Sequence, residues 1–169
     1  YWVERVPEGF TVQQIPHLYW RARLRWQQRR YDEVYAAEQR IAALLQRHGS
    51  SPFLIPIQPL LRGLIALGER RIDDAERELQ AVAAIQDELR FLVMFSDAHL
   101  LLAYCALKRG HTREALALFT RLLAEHEQSN TPGRLMWEGA PTVELLRFAI
   151  ERGAHVAFAE HVLQLLAMP

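Results

Sequence analysis

The chain has little with which to make covalent cross-links, span a bilayer or grip nucleic acid. Its 169 residues include one cysteine, Cys105, so an internal disulfide framework is excluded and a reducing cytoplasm is the expected compartment. No apolar run reaches the roughly 18 residues that would mark a membrane-spanning helix. Leu100 to Leu107 is among the longest apolar stretches, and polar neighbours flank it at helical spacing. Neither sign of charge is in excess, with Lys plus Arg and Asp plus Glu at 20 each. A duplex-binding surface needs a basic surplus to neutralise phosphates, and none is present. The eight glycines form neither a P-loop nor a dinucleotide fingerprint, so no cofactor is expected. The histidines (17, 48, 99, 111, 126, 155 and 161) contain no pair at i, i+4, the spacing that puts two imidazoles on one helix face around a metal. Surface, cap or turn roles are expected for them. No signal peptide is visible, and the start at Tyr1 instead of Met reads as a processed product or an excised segment.

What is present is a folded composition, 50% hydrophobic and 24% charged, and a repeat. Three segments share a tight turn, an acidic first helical turn and then a small or β-branched residue: Arg30-Tyr31-Asp32-Glu33-Val34, Arg71-Ile72-Asp73-Asp74-Ala75 and Gly110-His111-Thr112-Arg113-Glu114-Ala115. Val34, Ala75 and Ala115 fall 41 and 40 residues apart, and twelve residues before each stands a small residue, Ala22, Gly63 or Ala103. Tetratricopeptide repeats place small residues at such positions because the paired helices touch there, although their usual period is about 34 residues. The spacing therefore predicts an all-α fold, a tetratricopeptide-like superhelix of antiparallel hairpins with about seven to eight helices and slightly long repeats.

Apolar residues recur at helical spacing after each turn, as in Leu79, Val82 and Ile85, or Leu116, Phe119, Leu122 and Leu123. The acidic first turns suit the helix dipole. Helices are expected near 16–29, 31–48, 56–69, 72–87, 90–109, 112–128, 142–152 and 155–167. They would make one helical-repeat domain over 1–169, with hairpins near 16–48, 56–87 and 90–128 and a C-terminal pair at 142–167. His48-Gly49-Ser50-Ser51-Pro52 reads as a stop and restart, and Pro52, Pro56 and Pro59 require the third helix to begin late or to kink. The break near Asp87 to Arg90 rests on the repeat alone. Tyr1 and Trp2 at one end, and Leu163, Leu165 and Leu166 at the other, read as end-covering material.

With the small residue as a register mark, the first helix of each pair offers candidates for a concave groove. They are Tyr19, Arg23 and Trp26 in the first unit, Leu60, Leu64 and Leu67 in the second, and Leu100, Tyr104 and Lys108 in the third. Aromatics flanked by cations suit a peptide or a sugar-like ligand. Against this, Trp26 and Tyr104 at helical spacing equally suit packing between hairpins. Arg21, Arg23, Arg25, Arg29 and Arg30 form a local basic cluster, but Glu33 and Glu38 lie close enough for pairing on a solvated face. Cys105 sits among apolar neighbours as a buried thiol. Ser96-Asp97-His99 has the residue types of a triad, but a triad converges in space and not along one helix.

Met136-Trp137-Glu138-Gly139-Ala140-Pro141-Thr142, followed by Leu145-Leu146-Arg147, Ala149, Arg152-Gly153, Phe158 and Val162-Leu163, carries a family resemblance. It resembles the closing part of the helical-repeat region in large ATP-dependent regulators of the LuxR family, the MalT-like group. There a Glu-Gly-x-Pro turn precedes a Leu-Leu-Arg helix, an Arg-Gly turn and a last aromatic-bearing helix. The stretch from Ala22 to Val34 is also similar to a hairpin of that region, and the likeness is weaker from Pro52 to Phe95. The resemblance implies a parent with a nucleotide-binding switch domain, this region as sensor, and a helix-turn-helix domain for DNA following soon after Pro169. This chain has neither the P-loop nor the reading helix, so the family's ATP and DNA sites map to no residue here.

The expected function is thus a non-catalytic sensor or interaction module of such a regulator, binding a small-molecule inducer or a protein or peptide partner in the groove. No membrane contact is expected, and DNA is met only through a domain outside the chain. The alternative is a stand-alone tetratricopeptide scaffold for protein partners. A small helical enzyme is a third class, disfavoured by the missing catalytic constellation.

Overall fold

The computed structural model describes residues 11–48, 54–89 and 96–168, and among these the chain is helical with no strand. The helices are α1 (Thr11–Gln27), α2 (Tyr31–His48), α3 (Ile57–Gly68), α4 (Ile72–Leu89), α5 (Ala98–Lys108), α6 (Thr112–Ser129), the single turn α7 (Pro132–Leu135), α8 (Ala140–Glu151) and α9 (Val156–Leu166). A 3₁₀ turn, Met136–Glu138, joins α7 to α8. The extra element relative to the sequence expectation is α7, which opens with Pro132 and is too short to show periodicity. Tyr1 and Trp2, the restart at 49–53 and the expected helical start at 90–95 lie outside the described residues.

The repeat has a physical basis in one turn that ends the first helix of all four pairs. Each first helix of a pair ends with a residue in the left-handed region: Arg29 (φ 60°), Arg70 (φ 61°), Gly110 (φ 78°) and Gly153 (φ 71°). Its N–H bonds back to the carbonyl three residues earlier, and the next N–H to the carbonyl five earlier. Arg30 N–H reaches Arg25 O at 2.9 Å, Arg71 reaches Ala66 at 2.8 Å, His111 reaches Ala106 at 2.9 Å and Ala154 reaches Ala149 at 2.9 Å. This is the Schellman termination, which satisfies the last carbonyls of a helix and reverses the chain. The small residues are buried, as their spacing predicts, and the close approach itself is seen at Gly63. Ala22, Val34, Ala75, Ala103 and Ala115 are fully buried. A Cβ placed on Gly63 would lie 2.9 Å from Leu79 Cγ and 3.6 Å from Ala75 O, so the two helices approach as closely as glycine permits. The fourth turn keeps a small residue on its second helix, Ala159, also fully buried.

At the prolines, one boundary differs from the expectation and the late start of the third helix is met. Pro16 lies inside α1, not at its start. In α3, Pro56 is the N-cap and Pro59 falls in the first turn, where an absent N–H costs no helical hydrogen bond.

The helices group into two compact units, 1–85 and 86–169, with the boundary inside α4. In the first unit Tyr19, Ile41, Leu61, Leu64 and Leu79 are sealed from solvent. In the second, Phe119 and Leu123 of α6 pack with Leu100 of α5, Leu145 and Leu146 of α8, and Phe158 and Val162 of α9. A smaller cluster joins Ala106, Ala115 and Phe148. No helix among the described residues is long and apolar enough to cross a membrane.

Candidate functional site

The residues expected to line a groove are mostly interior. Tyr19, Leu60, Leu64 and Leu100 are at most 1% exposed, Arg23 is 3%, Leu67 is 7% and Trp26 is 9%. The expectation of partial exposure for Arg23 and Trp26 is corrected. Trp26 Nε1 donates to the Leu64 carbonyl across to α3, and the Arg23 guanidinium stacks 5.9 Å from the Trp26 ring. A small residue fixes which side of a helix meets its hairpin partner but not which side the following helix covers. Here α3 covers the side that was assigned to a groove.

Tyr104 and Lys108 do reach the surface, on α5. Tyr104 Oη donates to Glu144 Oε1 at 3.0 Å, Lys108 Nζ pairs with the other oxygen of Glu144, and the ammonium lies 4.9 Å from the Tyr104 ring centroid. Burial and the adjacent Glu144 push the Tyr104 hydroxyl above its ordinary pKa. Burial works against the charge on Lys108, but its bonds to Glu144 and Tyr104 outweigh that and hold it protonated. These polar groups satisfy one another, and in the basic cluster Arg25 and Arg30 both pair with Glu33.

The unanticipated feature is a buried polar knot in the second unit. Glu138, wholly buried in the 3₁₀ turn, accepts the Ser96 hydroxyl and, at 3.1 Å, the Asp97 N–H. Gln86 at the end of α4 donates to Ser96 O at 2.6 Å and accepts from Ala98 N–H at 3.0 Å. Asp97 is the N-cap of α5, with Oδ1 accepting from His99 N–H (3.0 Å) and Leu100 N–H (3.1 Å). Ser96, Asp97 and His99 are therefore a helix start and not a triad. The His99 ring faces away to Asp87, 2.9 Å from it. Burial, reinforced by the charge of Glu138, raises the Asp97 carboxyl above its usual range.

Beside the knot opens a cleft of about 520 Å³ between the end of α4, the start of α5, α6 and α7. Asp97, His126, Arg121, Glu125 and Arg134 line it, over Leu118 and Leu122. His126 was expected in a surface, cap or turn role, but it is only 4% exposed, because the α6 face that carries it turns inward under α7. Its Nδ1 shares a hydrogen bond of 3.0 Å with Thr131 Oγ1, and burial lowers its pKa, leaving a neutral imidazole at neutral pH. His111 and His155 do occupy the N-cap positions of α6 and α9. No group of acidic, histidine or cysteine side chains among the described residues is arranged to hold a metal ion.

Sequence reasoning missed Glu138, Arg121, Glu125 and Arg134 as cleft or knot residues. The one available signal was the Ser96-Asp97 pair before an apolar run, an N-cap signature. No protein-family model, curated protein or solved structure matches the chain.

Proposed function

We propose that this chain is a non-catalytic, tetratricopeptide-like binding module, the cytoplasmic sensor region of an ATP-dependent LuxR-family regulator of the MalT-like group. The binding half of this reading is carried by the cleft in the second unit, a concave site with charged groups left unspent by the fold. Its size lies in the range of about 300–1,000 Å³ usual for small-molecule sites. The regulator half rests on the Met136–Thr142 turn and the helix after it. Glu138 of that turn is held by Ser96 and Asp97, so the segment that carries the family likeness is tied to one residue that lines the cleft. An inducer filling the cleft would favour one arrangement of α5, α6 and α7 over another, and a sensor works through such differential affinity. DNA would be reached only through a helix-turn-helix domain outside the chain.

The reading frame that encodes this chain tests the proposal. A Gly-x-x-x-x-Gly-Lys-Ser/Thr loop upstream and a helix-turn-helix within about a hundred residues downstream are expected, given ordinary domain sizes. A frame with neither refutes the regulator reading and leaves a binding scaffold.

A further inference from the structure

Two clefts among the described residues differ in how their charges are paired. In the first unit a cleft of about 310 Å³ is lined by Glu38, Arg62, Arg71, Asp74 and Arg77. Arg62 pairs with Glu38 at 2.9 Å, Arg71 with Asp74 at 2.6 Å, and Arg77 also with Asp74. Its cations are already neutralised by the fold, which is the pattern of a solvated surface network.

The cleft of the second unit leaves charge of both signs in reserve. Arg121 of α6 and Arg134 of α7 line it, both are exposed, and among the described residues neither guanidinium enters an ion pair or a side-chain hydrogen bond. Glu125 follows Arg121 by one helical turn, and its carboxylate is equally uncommitted, since Ser129 bonds only to its backbone carbonyl. Asp97, nine-tenths buried, uses Oδ1 to cap α5, and Oδ2 makes no hydrogen bond among the described residues. His126 uses Nδ1 on Thr131, and Nε2 is likewise unengaged. Neither Asp97 Oδ2 nor His126 Nε2 is sealed from solvent, so water reaches both and a ligand group can take its place. A guanidinium suits a carboxylate, which it grips in a planar fork, and a carboxylate suits an ammonium.

We infer that this cleft binds a small zwitterion, a free amino acid or a dipeptide, with its carboxylate on Arg121 and Arg134. Its ammonium lies on Glu125 and Asp97, and its side chain rests on Leu118 and Leu122. The inference deepens the sensor reading and rests on its binding half alone; the reading frame decides the regulator half separately.

Titration calorimetry of the full chain with free amino acids, dipeptides, and their N-acetylated and C-amidated derivatives is the test. Zwitterions are expected to bind, and blocking either terminus should weaken them about tenfold or more, the loss of one charge-assisted pair. Arg134→Gln and Arg121→Gln should weaken binding similarly with unchanged melting temperatures, because neither side chain supports the fold. The preferred length, amino acid or dipeptide, follows from which series binds. Equal binding of blocked and free forms overturns the zwitterion assignment and leaves a small-molecule site standing. No binding by any member at millimolar concentration overturns it also, as does full affinity in both arginine variants.

Discussion

Trp26 offers the sharpest test of how the first unit is packed, because groove and core assignments for this residue predict opposite outcomes. Its side chain is all but sealed, 9% exposed, against α3, and its indole N–H donates to the Leu64 carbonyl. Trp26→Ala removes the ring and leaves a cavity next to fully buried Leu64, a change that costs about 3–5 kcal/mol in well-packed interiors. Trp26→Phe keeps most of the ring and deletes only the donor, so it should cost less than half as much. The net worth of such a bond is about 0.5–1.5 kcal/mol, with a further contribution from the smaller ring. Urea denaturation followed by circular dichroism at 222 nm avoids the loss of a fluorophore. Since the chain forms two compact units, a wild-type curve with two transitions should show only the first unit's transition moving. An alanine variant within about 1 kcal/mol of wild type would refute the packing argument, because a surface substitution has that size of effect.

The turn chemistry predicts a matched pair of changes: Arg70→Gly should stabilise by about 0.5–1 kcal/mol through relief of the left-handed backbone, and Gly110→Ala should destabilise by about 1 kcal/mol. Nothing lies within 4 Å of a Cβ on Gly110, so thermal melts of that variant read backbone strain alone. Ala115→Leu should overpack the contact with Ala106 and Phe148 and cost about 1–3 kcal/mol, and a neutral melt would show the helix register to be different. For pH, Asp97 has a raised pKa in the fold, so its favourable contribution is present below the ordinary aspartate range and is lost as pH rises through the raised value. Asp97→Asn keeps an acceptor for the cap, and its melting temperature relative to wild type should be higher at pH 7 than at pH 4. His126 runs the other way: its pKa is lowered, so its contribution holds above about 6.5 and is lost as pH falls from there toward the lowered value. His126→Gln should therefore lose less stability than wild type between pH 7 and pH 5.

The hairpins were legible because local rules wrote them. Glycine or a long polar residue at the turn, acids in the next helical turn, and small residues five beyond and seven before it all act within about a dozen residues. The fourth hairpin was legible as a helix pair, and its kinship with the others appears only in the backbone. Its turn falls 43 residues after the third, against 41 and 40 between the others, and Ala159 stands six beyond it instead of five, while Leu146 stands where the other pairs have a small residue. Burial of Trp26 was not legible, since α3 lies 38 residues from it at the bonded carbonyl. The cleft was not legible either. Arg121, Glu125 and Arg134 look in sequence like any exposed charges, and what distinguishes them is the lack of a partner among the described residues, a property of three dimensions.

Glu138 shows why such long-range features are worth keeping despite their cost. A carboxylate with no exposed surface forfeits its hydration, and the hydrogen bonds it gains in return are at best a close exchange. An apolar residue in its place would bury more cheaply. What an apolar residue lacks is direction. Ser96 Oγ and Asp97 N–H both converge on Oε1 of Glu138. The 3₁₀ turn before α8 is thereby fixed against the first residues of α5, and a slip of either segment by one residue would strand buried donors at about 1–3 kcal/mol each. Gln86 adds the same constraint from α4, with one bond to each side of Asp97. Asp97 is thus held from both flanks while one of its oxygens stays open to the cleft. The polar knot sets the position of a charged atom at the binding surface more tightly than packing alone would, which is the arrangement a selective site requires.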